Sequence, residues 1–438
     1  MKYYIPILSF FFMLSCSKDA INTDIDSEEG TDNTLPNIML IIADDMGHDA
    51  TPGFNRGTIK PNMPNLQAMI DTGIRFNNLW SYATCTPTRA SILTGKYGFN
   101  SNVISVGDVL STSEVSLQRY LDTKTSSAYA HAVIGKWHLS SNTNHPTEMG
   151  INYYTGSISG GVQSYWDWNL VQNGVSASST EYTTTKFTDL AIDWVDEQTK
   201  PWFLWLAYNA PHTPFHLPDT ELHSQGTLPT DDDSISNNPL PYYMAMLEAM
   251  DTELGRLLAS MSQEEKDNTI FIFIGDNGTP NQVAQEYNSR RVKGSIYQGG
   301  INVPMVISGK GVFRSNETED ALINTTDLFA TIADIAGAGS ADYEDSQSFK
   351  ALLEDTNATQ RDYVFAERRN DNTGLVDYSV RNATHKYIAF GDGSEGLYNL
   401  STDPLEGTNL LNANQLPLSA ANAAVKEELV NTLENIKP

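Results

Sequence analysis

Positive charge is scarce in this chain of 438 residues: 27 Lys and Arg face 54 Asp and Glu, for a formal net charge of -27. That shortage excludes nucleic acid as a partner, because holding a phosphate backbone takes clustered Lys and Arg. An anionic substrate would have to be met by a few local cations or by a metal ion. Cysteine is rarer still, with only Cys16 and Cys85. Long apolar runs are also missing: the stretch from Ile5 to Leu14 is too short to span a bilayer. There are no internal repeats. What remains is an ordinary globular composition, 40% hydrophobic, in a chain long enough for one large domain, a smaller one and a sizeable core.

The first residues run Met1-Lys2, then the apolar stretch, then Ser15-Cys16. Residues 1–15 read as a secretory signal, and a cysteine directly behind a small residue resembles a bacterial lipoprotein cleavage site. The expectation is an exported lipoprotein held in the bacterial envelope, periplasmic or cell-surface, through lipid on Cys16; a plain signal would export the chain as well. Residues 16–34 carry Asp19, Asp24, Asp26, Glu28, Glu29 and Asp32 and cannot build a core, so they read as a tether. With Cys16 given to lipid, Cys85 has no disulfide partner in an oxidising compartment. An unpaired cysteine there calls for an explanation.

Four short apolar runs share one design, that of a buried parallel strand ending in polar residues. Ile38 to Ala43 ends in Asp44-Asp45, and His131 to Ile134 ends in Gly135-Lys136-Trp137-His138. Trp202 to Ala207 ends before Pro211-His212, and Ile270 to Gly275 ends in Asp276-Asn277. Open α/β sheets bind ligands at the carboxyl ends of their strands, so these groups can meet. Helical patterns lie between, including Tyr242 to Ser260, whose stripe of Met246, Leu247, Met250, Leu254, Leu257 and Leu258 reads as core packing. Past Ala336-Gly337-Ala338-Gly339 the alternation stops. Strands follow at Tyr363 to Glu367, Tyr378 to Arg381, Lys386 to Phe390 and Leu397 to Leu400, and a last helix starts after a Ser419 cap. This predicts a small α+β domain packed on a large α/β one.

Asp44-Asp45 and Asp276-Asn277 offer hard oxygen ligands suited to Ca²⁺ or Mg²⁺. Acidic residues at strand ends also serve as helix caps or solvated loop residues; two such pairs at matching strand ends beside Cys85 favour the metal reading.

The stretch Cys85-Thr86-Pro87-Thr88-Arg89, followed by Leu93-Thr94-Gly95-Lys96, resembles the maturation signature of the formylglycine-dependent sulfatase family. Gly135-Lys136-Trp137-His138-Leu139, Ala210-Pro211-His212-Thr213-Pro214 and Lys293-Gly294 with Gly299-Gly300 resemble further family segments in the family's order, and the likeness covers residues 36 to 410. It implies an alkaline phosphatase-like, doubly wound mixed sheet over residues 35–337 with a smaller C-terminal α+β subdomain over 338–438. It also implies that a formylglycine-generating or radical maturase converts Cys85 to formylglycine, whose hydrate is the nucleophile. One Ca²⁺, with Mg²⁺ as the second choice, would sit on Asp44, Asp45, Asp276, Asn277 and the converted Cys85. The remaining implied roles are Arg89 holding the hydrate, Lys136 and Lys293 neutralising the sulfate oxygens, His212 and Lys293 assisting the leaving alcohol, and His138 taking the last proton. Thr88 and Lys96 depart from the family's frequent serine and arginine, as does Met46-Gly47-His48-Asp49 after the first acid pair.

Of eight histidines, His48, His131, His145, His216, His223 and His385 are assigned structural roles. The expected substrate is a sulfated carbohydrate; Tyr165, Trp166 and Trp168 could stack on sugar rings, or equally pack a hairpin on the core. Two other readings stand beside this one. The first is a phosphomonoester or phosphonate hydrolase of the same superfamily using Thr84, Thr86 or formylglycine; the second is a non-enzymatic, sulfated-glycan-binding lipoprotein in which Cys85 stays a thiol.

Overall fold

Strand β1 (Asn37–Ala43) is buried along its whole length, as are β7 (Trp202–Ala207) and β8 (Thr269–Gly275), the pattern of parallel strands covered on both faces. The computed structural model describes residues 35–339 and 342–437, together with Met1 and Lys2; Cys16, the expected tether and the rest of the expected signal lie outside the described residues. β1 runs parallel to both neighbours, with Ile42 beside Ala207 and Ala43 beside Gly275. β3 (Ala130–Gly135) joins β7 in the same sense, Gly135 opposite Ala207. Four strand ends are thereby level, and Asp44, Lys136, Tyr208 and Asp276 leave the sheet side by side.

The rest of this 11-stranded sheet is β2 (Ile74–Trp80), β4 (Tyr153–Gly156), β5 (Trp168–Gln172), β6 (Val175–Ser179), β9 (Asn302–Gly309), β10 (Glu317–Glu319) and β11 (Ile323–Asn324). Its order is β10-β2-β9-β8-β1-β7-β3-β4-β5-β6, with β11 on β2. Because β9 is antiparallel to β8 and β2, the sheet is mixed. Alternation along β1 divides the core: Ile38, Leu40 and Ile42 pack in one cluster with Leu93 and Phe329, and Met39, Ile41 and Ala43 in the other with Phe187 and Met250. Helices therefore cover both faces. The stripe on helix Leu240–Ser260 is core, with Met246, Leu247, Met250, Leu254 and Leu257 buried and Leu258 partly so.

A second, four-stranded antiparallel sheet follows in the order β12 (Val364–Arg369), β13 (Val376–Arg381), β14 (His385–Ala389), β15 (Glu395–Asn399). One face takes Leu429 and Leu433 of helix Ala420–Ile436, whose Ser419 side chain accepts from Asn422 N at 3.2 Å as the N-cap. The other face packs Val364, Ala366, Ile388 and Tyr398 onto Trp80, Ile296 and Ile301. Lys386 and Glu406 form a buried ion pair at 2.8 Å, and Glu406 also accepts from Gln298 N at 2.6 Å. From Leu35 onward the chain is one compact unit. Among the described residues no helix is long and apolar enough to cross a membrane.

Candidate active site

Cys85 is the first residue of a ten-residue helix, Cys85–Thr94, that is buried throughout. Pro87 sits in the first turn, where a missing N–H costs nothing, and Gly95 ends the helix in the left-handed conformation (φ 67°) with its N–H on Ser91 O. The Thr88 hydroxyl donates to Thr84 O and accepts from Tyr82 N, each at 3.1 Å, fixing the turn into the helix. One turn on from Cys85, the Arg89 guanidinium donates to Lys136 O and to Asp276 Oδ2, both at 2.8 Å. Arg89 thus orients Asp276 from inside the core. The helix N-terminus, with its unpaired N–H groups and positive dipole end, favours an anion at Cys85.

Around that point the level strand ends deliver their side chains. Cys85 Sγ lies 3.3 Å from Asp44 Oδ1, and Lys136 Nζ bonds the other oxygen of the same carboxylate. Lys293 Nζ is 2.5 Å from Asp45 Oδ2, and His212 Nε2 is 3.9 Å from that oxygen. Asp45 N donates to Asp276 Oδ1 at 3.1 Å, and Asn277 Nδ2 donates to Asp45 Oδ1 at 2.8 Å. Three carboxylates are balanced by Lys136, Lys293 and Arg89. Burial would push Asp44 up, but Lys136, His212, Arg89 and Lys293 outweigh it and hold the carboxyl below the ordinary range. Burial, then the Asp44 charge, pushes Asp276 up. The same two causes raise the Cys85 thiol well above its usual value.

A hard cation fits these residues. Ligand atoms of Asp44, Asp45, Cys85 and His212 lie within 4.8 Å of one another, and Asn277 Oδ1 is buried with no partner, turned away from the bonds its amide nitrogen makes. An unsatisfied amide oxygen beside two carboxylates is the donor chemistry of a calcium or magnesium site.

His138 and His212 stand on either side of a glycine pair that the sequence reading did not single out. A Cβ on Gly160 would lie 2.2 Å from His138 Nε2, and one on Gly161 would lie 3.2 Å from His212 Cε1. Burial, then Lys136 and Arg89, push His138 down to about 2, so its imidazole is neutral. His212 Nδ1 donates to Thr213 O at 2.7 Å, which leaves Nε2 free toward Asp45. His138 (φ 59°) and Asp45 (φ 75°) both hold left-handed backbone, a strain of about 1–3 kcal/mol that concentrates at functional sites.

The candidate catalytic and metal residues named from the sequence converge here, several with partners the sequence did not indicate. Arg89 bonds Asp276 and Lys136 O while its Nε has no partner among the described residues, and His212 stands beside the acid cluster. The aromatics Tyr165, Trp166 and Trp168 follow the packing alternative: Tyr165 and Trp168 are buried, and Trp166 stacks on Tyr182 with ring centroids 4.9 Å apart. Two further contributors went unseen. The dipeptide Gly160-Gly161, within Ser157-Ile158-Ser159-Gly160-Gly161, was a visible signal for close packing, whereas Glu406, which ties down the segment carrying Lys293, gave none.

A family model described as Sulfatase matches residues 36–338, and one described as N-sulphoglucosamine sulphohydrolase, C-terminal, matches residues 290–437. The chain is 26% identical over 374 residues to "Uncharacterized sulfatase YdeN" of Escherichia coli (strain K12), covering 72% of this chain and 65% of that one. It spans the same 65% of Arylsulfatase G of Mus musculus. Among solved structures it resembles Ps i-CgsB in complex with k-i-k-neocarrahexaose (TM-score 0.78, 23% identity, 92% of each chain). It also resembles BT4656 in complex with its substrate D-Glucosamine-2-N, 6-O-disulfate (TM-score 0.76, 20% identity, 92% of this chain and 97% of that one). At these identities the structural likeness is one of fold.

Proposed function

The chain belongs to the sulfatase family, within the alkaline phosphatase superfamily, and on that premise we propose that it hydrolyses sulfate esters of carbohydrates to alcohol and free sulfate. The observation that carries this reading is the position of Cys85, at a helix N-terminus, 3.3 Å from Asp44 and beside two lysines. Its thiol is held protonated by burial and by Asp44, so a thiolate nucleophile is disfavoured. Conversion to formylglycine by a maturase, formylglycine-generating or radical, replaces it with an aldehyde whose hydrate supplies a nucleophilic oxygen.

Asp44, Asp45, Asp276 and Asn277 would hold one calcium ion, which supplies Lewis-acid charge at the sulfate. Lys136 and Lys293 add fixed positive charge against which the crowded, anionic transition state is stabilised. His212, in its doubly protonated form with Nδ1–H on Thr213 O, would give its Nε2 proton to the departing alcohol oxygen, assisted by Lys293; its side chain is partly exposed. His138 is neutral and buried, placed to accept one. Arg89 acts by positioning Asp276. A sulfated saccharide as substrate is supported by the disulfated sugar bound to BT4656. Export and lipid anchoring at Cys16 belong to the same proposal, as does a periplasmic or surface location.

Peptide mass spectrometry around Cys85 in active protein tests the nucleophile, with the aldehyde as the expected species and an unmodified thiol as the refutation. Sulfate release from a sulfated oligosaccharide should vanish in Cys85→Ala. Phosphate leaving faster than sulfate from matched aryl esters would move the assignment to phosphoryl chemistry.

A further inference from the structure

A cavity of about 370 Å³ opens beside β2, where the loop after β1, the start of β9 and the C-terminal subdomain meet. None of Asp44, Asp45, Cys85, Lys136, His212 or Lys293 lines it. Its charged lining is Arg56, Arg75 and Arg381 against Asp320, in a chain whose overall balance is -27, and Arg56 also pairs with Glu286 at 3.8 Å. Arg381 is 5% exposed and bonds neutral oxygens, Asn78 Oδ1 at 3.0 Å and the carbonyls of Asn382 and Ala383. Arg75 likewise donates to Gly53 O and Thr318 Oγ1. Among the described residues neither forms a direct ion pair with a carboxylate, so both guanidinium groups keep room for a direct anion contact, although Glu406 and Asp320 act on Arg381 from further off. Burial lowers Arg381 to about 10 even though Glu406 and Asp320 act to raise it.

The same wall carries four buried polar atoms without partners: His48 Nε2, Arg75 Nε, Gln298 Oε1 and Asn302 Oδ1. His48, assigned a structural role from sequence, is buried with one ring nitrogen left over. Buried polar groups are paired as a rule, and several orphans around one cavity point to a ligand that completes them. The set mixes donors and acceptors. A bare oxyanion would satisfy the arginines but has no hydrogen to give Gln298 Oε1 or Asn302 Oδ1, whose amide nitrogen is already committed to Asn77 O at 3.0 Å. A sugar carrying both hydroxyls and an anionic group would satisfy all of them, and the volume falls in the range of small-molecule sites.

We propose that this cavity binds an anionic sugar unit, with its sulfate or carboxylate on Arg56, Arg75 and Arg381 and its hydroxyls on Gln298 and Asn302. In combination with the proposed sulfatase activity, it would hold a second charged unit of the substrate, away from the one being cleaved.

Calorimetric titration of the full chain, made unable to turn over by Cys85→Ala, with a sulfated trisaccharide tests this without needing catalysis. Adding Arg75→Gln should weaken binding about tenfold, the loss of one charge-assisted contact. Arg56→Gln, on the more exposed rim, should act in the same direction and guards against a folding defect. The desulfated trisaccharide should show no dependence on either arginine. Unchanged affinity in both variants overturns the proposal, and inorganic sulfate binding as tightly as the trisaccharide with the same arginine dependence overturns its sugar half. In the matured enzyme, Arg75→Gln should raise KM for the trisaccharide while leaving turnover of a small aryl sulfate unchanged; equal loss on both substrates also refutes it.

Discussion

Replacing Gly160 with alanine should disable the site through His138 alone. The new Cβ would stand 2.2 Å from Nε2, 2.3 Å from Cε1 and 2.7 Å from Cδ2, whereas ordinary contact begins near 3.4 Å. Gly160 is not in the left-handed region, so alanine is tolerated by the backbone, and the imidazole has to give way by about 1 Å. A displacement of that size at a proton-transfer group costs on the order of 10²-fold in rate, or about 2.7 kcal/mol of barrier. KM should change little if Lys136 and Lys293 hold the sulfate as proposed, since the three atoms nearest the new Cβ all belong to His138. Gly161→Ala is the internal control: its Cβ meets His212 Cε1 at 3.2 Å and Nδ1 at 3.4 Å, tight but within reach of small adjustments. Steady-state sulfate release from an aryl ester, with thermal unfolding to separate overpacking of about 1–3 kcal/mol, reads both. A folded Gly160→Ala enzyme with kcat within twofold of the parent would show that His138 does not need its observed position.

Arg89→Met should cost about 3–5 kcal/mol in urea unfolding, because it strands the Asp276 charge in a dry interior; a loss under 1 kcal/mol would mean that Asp276 is neutral or otherwise paired. Glu367, raised by burial from 4.5 to about 8, is protonated in the folded chain where the unfolded chain is ionised. It should therefore make stability fall by up to about 1.4 kcal/mol per pH unit between 4.5 and 8. That stability is complete below the unfolded value and gone above the folded one. Glu367→Gln should flatten the pH dependence of chemical denaturation in that window, and an unaltered slope would refute the shift. Chelation should abolish turnover and lower thermal stability, and calcium at about 100 times its Kd should restore about 2.7 kcal/mol; a melting curve indifferent to both leaves the acid cluster without a cation.

The strands were legible because short apolar runs ending in polar residues leave little else to be, and the level register of β1, β7, β3 and β8 turns that pattern into a site. The two acid pairs could thus be expected to meet before their geometry was known, whereas Cys85, both lysines and both site histidines were marked only by motifs resembling those of the sulfatase family. Partner choice was not legible. Arg89 reaches Asp276 across 187 positions of sequence, and nothing in the residues near either one announces the pair. His212 also borders the acid cluster, with Nδ1 on Thr213 O and Nε2 3.9 Å from Asp45 Oδ2, a neighbour the sequence did not indicate. The cavity beside β2 draws on β2, the loop after β1, β9 and the C-terminal subdomain at once, so no single segment contained its signal. Trp168 and Tyr165 show the converse: aromatic loops read alike whether they meet a sugar or a core.

Glu406 gives the C-terminal subdomain a part in the site's upkeep. One of its carboxylate oxygens takes Lys386 and the other takes Gln298 N, while its carbonyl accepts from Arg291. Lys293 therefore rides on a segment tied at both flanks to a residue more than a hundred positions away. A lineage exchanging this subdomain for another would have to bring a replacement for that one acid, or displace the cation proposed to bind sulfate without altering any residue of the site. The tail of the chain is in this sense the keystone of an arch whose stones all lie elsewhere.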